Sequence, residues 1–78
     1  MTTARAMVRD GLSDAASYDV LEDGIVVGRV DVTRVVRERR YYDVYDVGGS
    51  KIHEGEVPEG WPVSPDRVAV EAWQSRPT

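Results

Sequence analysis

The stretch YDVLEDGIVVGRV, residues 18–30, decides the fold class of this 78-residue chain. Two runs rich in β-branched residues flank Asp23-Gly24, the pair that a type I′ turn favours because both of its central residues need a positive φ. Pairing Glu22 with Ile25 across that turn sets apolar residues of the two strands opposite one another. The stretch therefore predicts an antiparallel β-hairpin.

The alternation of side chains along a strand indicates which residues of the hairpin share a face. Gly28 interrupts the second strand, and a β-bulge there shifts the alternation by one position. With that bulge, one face is predicted to hold the apolar residues Tyr18, Val20, Ile25, Val27, Val30 and Val32.

Two further strands are predicted to follow the hairpin. Residues 41–47, YYDVYDV, place Tyr41, Tyr45 and Val47 on one side and Tyr42 and Val44 on the other. We expect Tyr41 and Tyr45 to pack against the helices. A turn at residues 48–50 precedes KIHEGEV, residues 51–57, whose polar character indicates an edge strand.

The segment DVTRVVRERR, residues 31–40, fits two structures. Val32, Val35 and Val36 have helical spacing, and Asp31 is a suitable N-cap. The β-branched residues and the β-rich surroundings favour a continuing strand, which is the interpretation we adopt.

Amphipathic helices are predicted at both ends of the chain. In residues 1–17 the apolar residues have the spacing of one helix face; they are Ala4, Met7, Val8, Leu12 and Ala15. Gly11 inside that segment costs a helix about 1 kcal/mol relative to Ala. Near the other end, Ser64 followed by Pro65 marks a helix start. The buried stripe of this second helix is predicted to consist of Val68, Ala69, Ala72 and Trp73.

Together these elements predict a single small α+β domain. It comprises an N-terminal helix (1–17), an antiparallel β-meander of three to four strands (18–57), a Pro/Gly/Trp loop (58–64) and a short C-terminal helix (65–76) packed on one face of the sheet. A chain of 78 residues without Phe has a thin core. That core and the apolar stripe of the first helix favour self-association as a homodimer.

The composition argues against several classes of function. The chain has no cysteine, which excludes a disulfide scaffold, a thiolate metal site and a Cys nucleophile. The single histidine, His53, alternates away from Glu54 and Glu56, so the spacing does not suit shared metal ligation. We therefore predict no catalytic residue, no metal, no cofactor and no enzyme activity. No apolar run reaches the length of a membrane span, and we expect a cytoplasmic protein.

The net charge of −4 is unevenly distributed along the chain. Residues 34–40 contain four arginines and one glutamate. The preceding residues 18–33 contain four acids against one arginine, and residues 41–60 contain five acids against one lysine. This acidic, basic, acidic order suits contacts with another protein better than a phosphate-binding face.

The basic block and the Pro/Gly/Trp loop supply the candidate binding residues. The block lies beside tyrosines, an arrangement that serves as a solvated hairpin end, as a protein-binding patch or as a nucleic-acid site. Trp61 either packs over the core, against Trp73, or anchors a partner. The candidate partner-binding residues are Arg34, Arg37, Arg39, Arg40, Tyr42 and Trp61.

The expected function is that of a non-enzymatic protein-interaction module. Such an accessory, regulatory or inhibitor protein acts by occupying the surface of another protein. The alternative is a weak nucleic-acid-binding accessory domain that uses the hairpin of arginines and tyrosines. Acidic residues among the tyrosines disfavour nucleic acid, and no membrane partner is expected.

Overall fold

Five β-strands and one α-helix form the described part of the chain. The computed structural model describes residues 4–11, 15–33 and 39–77. The elements are β1 (Ala4–Gly11), β2 (Ala15–Glu22), β3 (Ile25–Thr33), β4 (Tyr41–Asp46), β5 (Lys51–Glu56) and α1 (Pro65–Gln74). Consecutive strands pair antiparallel, which gives one sheet in the order β1-β2-β3-β4-β5. The helix packs on one face of this sheet and contacts β1, β2, β3 and β4.

The N-terminal helix predicted over residues 1–17 is wrong, because that segment contains β1 and the start of β2. Its residues 1–3 and 12–14 lie outside the described ranges. Ala4, Met7 and Val8 have helical spacing, but Ala4 and Ala6 lie two positions apart and fit the alternation of a strand. Strand pairing prevails because it extends the sheet and brings both alanines against the core. The meander consequently has five strands rather than three to four.

The hairpin predicted at Asp23-Gly24 is confirmed. Asp23 has φ 54° and Gly24 has φ 79°, the positive values that a type I′ turn requires. The predicted bulge is also present, because Val20 pairs with Gly28 and leaves Val27 as the extra residue of β3. The later residues of β3 thereby return to the face that carries Val20.

The core lies between α1 and the sheet. Its buried members are Tyr18, Val20, Val30, Val32, Tyr42 and Val44 from the sheet and Val68, Ala69, Ala72 and Trp73 from α1. The stripe predicted for the C-terminal helix is therefore confirmed. Ile25 pairs with Glu22, two residues from Val20, and so lies on the predicted face, but it is beside the turn, outside the core, and 67% exposed.

β4 directs Tyr42 towards the core, whereas the sequence predicted Tyr41 and Tyr45 there. Tyr42 is 6% exposed, whereas Tyr41 is 44% exposed. The register explains the difference, since Tyr42 lies directly opposite the buried Val32 and residues opposite each other share a face. The prediction that Tyr41 and Tyr45 pack against the helices is wrong.

Two further strand predictions concern the segments on either side of β4. The strand chosen for residues 31–40 is confirmed as far as Thr33, and residues 34–38 lie outside the described ranges. β5 is an edge strand, as predicted, and a bulge at Ile52 interrupts its pairing with β4.

α1 begins where the sequence predicts it. Pro65 is its first residue, with Ser64 at the N-cap, and the helix ends at Gln74 rather than at residue 76. Proline suits the first position because a backbone N–H there would have no hydrogen-bond partner within the helix. The helix has ten residues, and within the described ranges no helix is long and apolar enough to cross a membrane.

Candidate interaction surface

The two proposed arginines that the structure describes, Arg39 and Arg40, make different contacts. Arg39 is exposed, with its Nε 3.6 Å from Glu56 Oε1. Arg40 is half-buried, and its Nη1 donates a hydrogen bond of 3.1 Å to the carbonyl of Val63. Arg40 therefore ties the loop after β5 to the start of β4. The candidates outside the described residues, which stay predictions, are Arg34 and Arg37.

Tyr42 and Trp61 pack on each other at the margin of the core. Their ring centroids lie 5.6 Å apart, with 23° between the ring planes. The Tyr42 hydroxyl lies 3.3 Å from His53 Nε2, and a Cβ at Gly55 would come within 2.7 Å of that hydroxyl. These contacts support the structural interpretation of Trp61, with Tyr42 in place of Trp73 as its stacking partner. A partner-binding role for the two aromatic residues stays a prediction.

The face of the sheet opposite α1 is covered by no other element of the described chain, and we call it the open face. Strand alternation directs to this face the side chains that lie between the buried ones. On β2 to β5 its polar and aromatic residues are Ser17, Asp19, Arg29, Asp31, Thr33, Tyr41, Asp43, Tyr45, Lys51, Glu54 and Glu56.

Three carboxylates form a row across the open face, which we call the acidic row. Asp31 on β3 lies directly opposite Asp43 on β4, and Asp43 lies directly opposite Glu54 on β5. Like charges at such positions destabilise a sheet, because their Cβ atoms are only about 4.5–5.5 Å apart. Basic side chains beside the row, Arg29 and Lys51, offset this repulsion.

Lys51 neutralises one end of the acidic row. Its Nζ lies 2.9 Å from Glu54 Oε2 and 3.3 Å from Asp43 Oδ1. The hydrogen bond to Glu54 raises the pKa of Lys51, and the bond to Asp43 raises it further. The same lysine lowers the pKa of Glu54. At neutral pH the lysine and Glu54 therefore hold opposite charges on an exposed surface.

Arg29 and Ser17 hold the other end of the acidic row. Arg29 Nε lies 3.2 Å from Asp31 Oδ1, and Ser17 Oγ donates a hydrogen bond of 2.7 Å to the same oxygen. The guanidinium carbon of Arg29 also lies 4.1 Å from the ring centroid of Tyr45, a cation–π contact. These contacts keep the side chains of the open face in defined positions.

Exposed apolar and aromatic side chains lie on both sides of the acidic row. Tyr41 is fixed through its backbone, since the Thr33 hydroxyl makes two hydrogen bonds of 3.1 Å to the N–H and C=O groups of Tyr41. Towards the hairpin turns, Val26 and Val47 line a shallow groove of about 220 Å³ beside Arg29. Val26 is 42% exposed and Val47 is 74% exposed. Charged, aromatic and aliphatic side chains thus occur together, as they do in protein interfaces.

The arrangement gives no sign of a metal centre in the ranges that the structure describes. No group of three or more His, Asp or Glu side chains is placed there to hold a metal ion. Within the acidic row, Arg29 and Lys51 take the positions beside the carboxylates.

Comparison with known proteins gives no guide to this surface. Comparisons of the chain with protein-family models, with curated proteins and with solved structures found no match. The chemistry of the open face is therefore interpreted from its own residues.

Proposed function

We propose that this protein is a non-enzymatic interaction module that binds a basic surface of a partner protein through its open face. The observation that carries the proposal is the acidic row, which spans three neighbouring strands of a face that α1 leaves uncovered. The protein would act as an accessory, regulatory or inhibitor protein by covering that basic surface.

The charge of the sheet supports a basic partner. Residues 15–33 and 41–56, which include β2 to β5, contain eight acidic residues and two basic ones. Arg29 and Lys51 are those two basic residues, and both contact the acidic row. Complementary charge accelerates association and excludes partners of the same sign, and salt weakens it.

The fixed geometry of the open face also supports binding. The ion pairs of Lys51 and the Arg29–Tyr45 contact hold long side chains in place before a partner arrives. Because less side-chain entropy is then lost on binding, the affinity is higher. Tyr41 adds an exposed aromatic ring, and aromatic residues are enriched in protein interfaces.

The nucleic-acid alternative is less well supported by the described arginines. Arg39 lies near the carboxylate of Glu56, and Arg40 is bound to the carbonyl of Val63. A phosphate backbone on the open face would meet the acidic row. Nucleic-acid binding through the basic block of residues 34–40 is therefore the outcome that would contradict the proposal.

Two double variants with the same change in charge test the proposal. Asp31→Asn with Glu54→Gln removes two charges from the acidic row. The control, Asp23→Asn with Glu59→Gln, removes two charges from exposed turns elsewhere, and Asn tolerates the positive φ of position 23. Partners are captured from cells of the native host with the tagged wild-type protein, identified by mass spectrometry and purified.

The dissociation constant of the captured partner is then measured for each variant at low and high salt. We expect the open-face variant to bind about tenfold or more weakly and the control to change by less than about threefold, because close charge pairs count for more than distant ones. Equal losses in both variants would argue against a specific site. A third variant, Arg39→Ser, tests the basic block of residues 34–40. Loss of binding in this variant alone, or a salt-sensitive shift of DNA in a gel, would mean that the binding site lies in the basic block.

A further inference from the structure

Both edge strands of the sheet contain a bulge, and β1 has the longer regular stretch open to another strand. At β5, the bulge at Ile52 leaves residues 53–56 in regular pairing, and Lys51, Glu54 and Glu56 place charges along the edge. Bulges and charged side chains are features by which natural proteins protect sheet edges. At β1, the bulge lies between Val8 and Asp10, and the pairing with β2 is regular over residues 4–8 and involves no proline. Nothing in the described ranges pairs with the outer side of β1.

A groove of about 380 Å³ runs beside the regular part of this edge, between β1 and α1. Ala4, Arg5 and Ala6 line it from the strand, and the small side chains of the two alanines leave space open. From the helix it is lined by Asp66, Arg67, Val70, Glu71 and Gln74. A second strand placed beside β1 could bond to the backbone N–H and C=O groups on its outer side. A helix above that strand could pack against the side chains that line the groove.

We propose that a second copy of this chain occupies the groove, with the two β1 strands paired antiparallel about a two-fold axis. The two five-stranded sheets then form one continuous sheet, and the two α1 helices lie side by side on the same face. Alternate residues of β1 direct their N–H and C=O groups away from β2, and in the dimer these groups bond to the second copy.

The position of α1 leaves room for this arrangement. The helix contacts β1, β2, β3 and β4 of its own sheet, and its residues Arg67, Val70 and Glu71 line the groove at β1. Paired β1 strands lie about 4.8 Å apart, so these side chains of the two copies face each other across two strands. The side chains of each α1 then fill the groove of the other copy.

Charges of both signs line the groove, from Arg5, Asp66, Arg67 and Glu71. Two of them, Arg67 and Glu71, lie one turn apart on α1, with Val70 between them on the groove side. Antiparallel packing of the two helices brings Arg67 of each copy towards Glu71 of the other and sets the two Val70 side chains near the axis. An unrelated peptide would gain no such pairing, which favours a second copy as the occupant.

Charge reversal on α1 tests the dimer in sedimentation experiments over a range of concentrations. We expect the wild-type protein to form a concentration-dependent dimer. Arg67→Glu and Glu71→Arg alone each place like charges across the axis twice, and each should raise the dimer dissociation constant about tenfold or more. The double reversal should restore the wild-type value. Circular dichroism checks that each variant remains folded.

Hydrogen exchange locates the interface. In the dimer, the amides of residues 4–8 that point away from β2 should exchange slowly. In Arg67→Glu that protection should be lost, while the amides of β3 stay protected. A monomer at every concentration would refute the proposal, as would a dimer indifferent to charge reversal or one without protection at β1. These results do not depend on the acidic row, so the dimer and the proposed function fail or succeed separately.

Discussion

The indole ring of Trp73 lies over the backbone of Gly28, in the space that a side chain at position 28 would need. The ring is 5% exposed, and its Nε1 donates a hydrogen bond of 2.9 Å to Glu22 Oε2. On the helix side, the guanidinium carbon of Arg76 lies 3.9 Å from the ring centroid. The bulge that sets Gly28 opposite Val20 thus allows α1 to dock on the sheet.

Gly28→Ala should lower the free energy of unfolding by about 1–3 kcal/mol, because the added methyl group overlaps the Trp73 ring in a packed core. Gly48→Ala is the control, since the nearest atom to a Cβ there is a carboxylate oxygen 3.3 Å away. We expect the control to change stability by less than about 0.5 kcal/mol. Urea unfolding measures both, and equal effects would contradict the contact.

Tyr42→Ser and Tyr41→Ser should separate the two faces of β4. Removing the buried ring of Tyr42 should cost about 3 kcal/mol or more, since it also leaves Trp61 without its stacking partner. Removing the exposed ring of Tyr41 should cost less than about 1 kcal/mol. Thermal and urea unfolding of the pair decide the point, and the reverse order of stabilities would mean that the register of β4 is wrong.

Gly24→Val should destabilise the hairpin by about 1 kcal/mol or more, because a β-branched residue resists the positive φ of this turn position. No other atom lies within 4 Å of a Cβ built at Gly24, so the cost reflects backbone conformation alone. Asp23→Asn, which keeps a residue suited to positive φ, is the control. An unchanged midpoint of unfolding in Gly24→Val would contradict the turn type.

Stability should fall in alkaline solution, in part through Tyr18. Burial raises the pKa of Tyr18 above its ordinary value of 10.0, the nearby Asp66 raises it further, and Arg40 lowers it. The unfolded chain releases this proton first, so the contribution is complete below about pH 10 and is lost as the pH rises towards the folded pKa. Lys51, whose pKa is also raised, adds to the same loss.

Tyr18→Phe isolates the tyrosine contribution in urea unfolding at about pH 8 and about pH 11. We expect the alkaline loss of stability to be smaller in Tyr18→Phe than in the wild type. Lys51→Arg removes the lysine titration while it keeps the charge, and it serves as the comparison. An identical alkaline loss in the wild type and in Tyr18→Phe would mean that the phenol is not buried as described.

The turn at Asp23-Gly24 and the start of α1 were predictable from the sequence, and the edge of the sheet was not. Asp23-Gly24 and Ser64-Pro65 act within a few residues, so their signals survive folding, although the Ser64 side chain makes no capping hydrogen bond. The segment that begins at Ala4 satisfies helical and strand spacing alike, and only its pairing with β2 decides between them. The face of β4 likewise depends on pairing, since a shift of one residue exchanges Tyr41 and Tyr42.

The acidic row could not be found from the sequence because it is a product of register. Asp31, Asp43 and Glu54 come from three strands and become neighbours only when those strands pair. In the sequence they count only as acidic charge on either side of a basic block. Arg40 shows the opposite case, since its charge suggested a partner and the structure directs it to the carbonyl of Val63.

The most direct test of the central claim maps the binding surface by NMR. The isotope-labelled protein is titrated with the purified partner obtained by capture, and chemical-shift changes are followed residue by residue. We predict the largest changes around the acidic row and at Tyr41, with the buried side of the sheet little affected. Changes concentrated at Arg39 and in the loop at residues 57–64, with the acidic row unmoved, would contradict it.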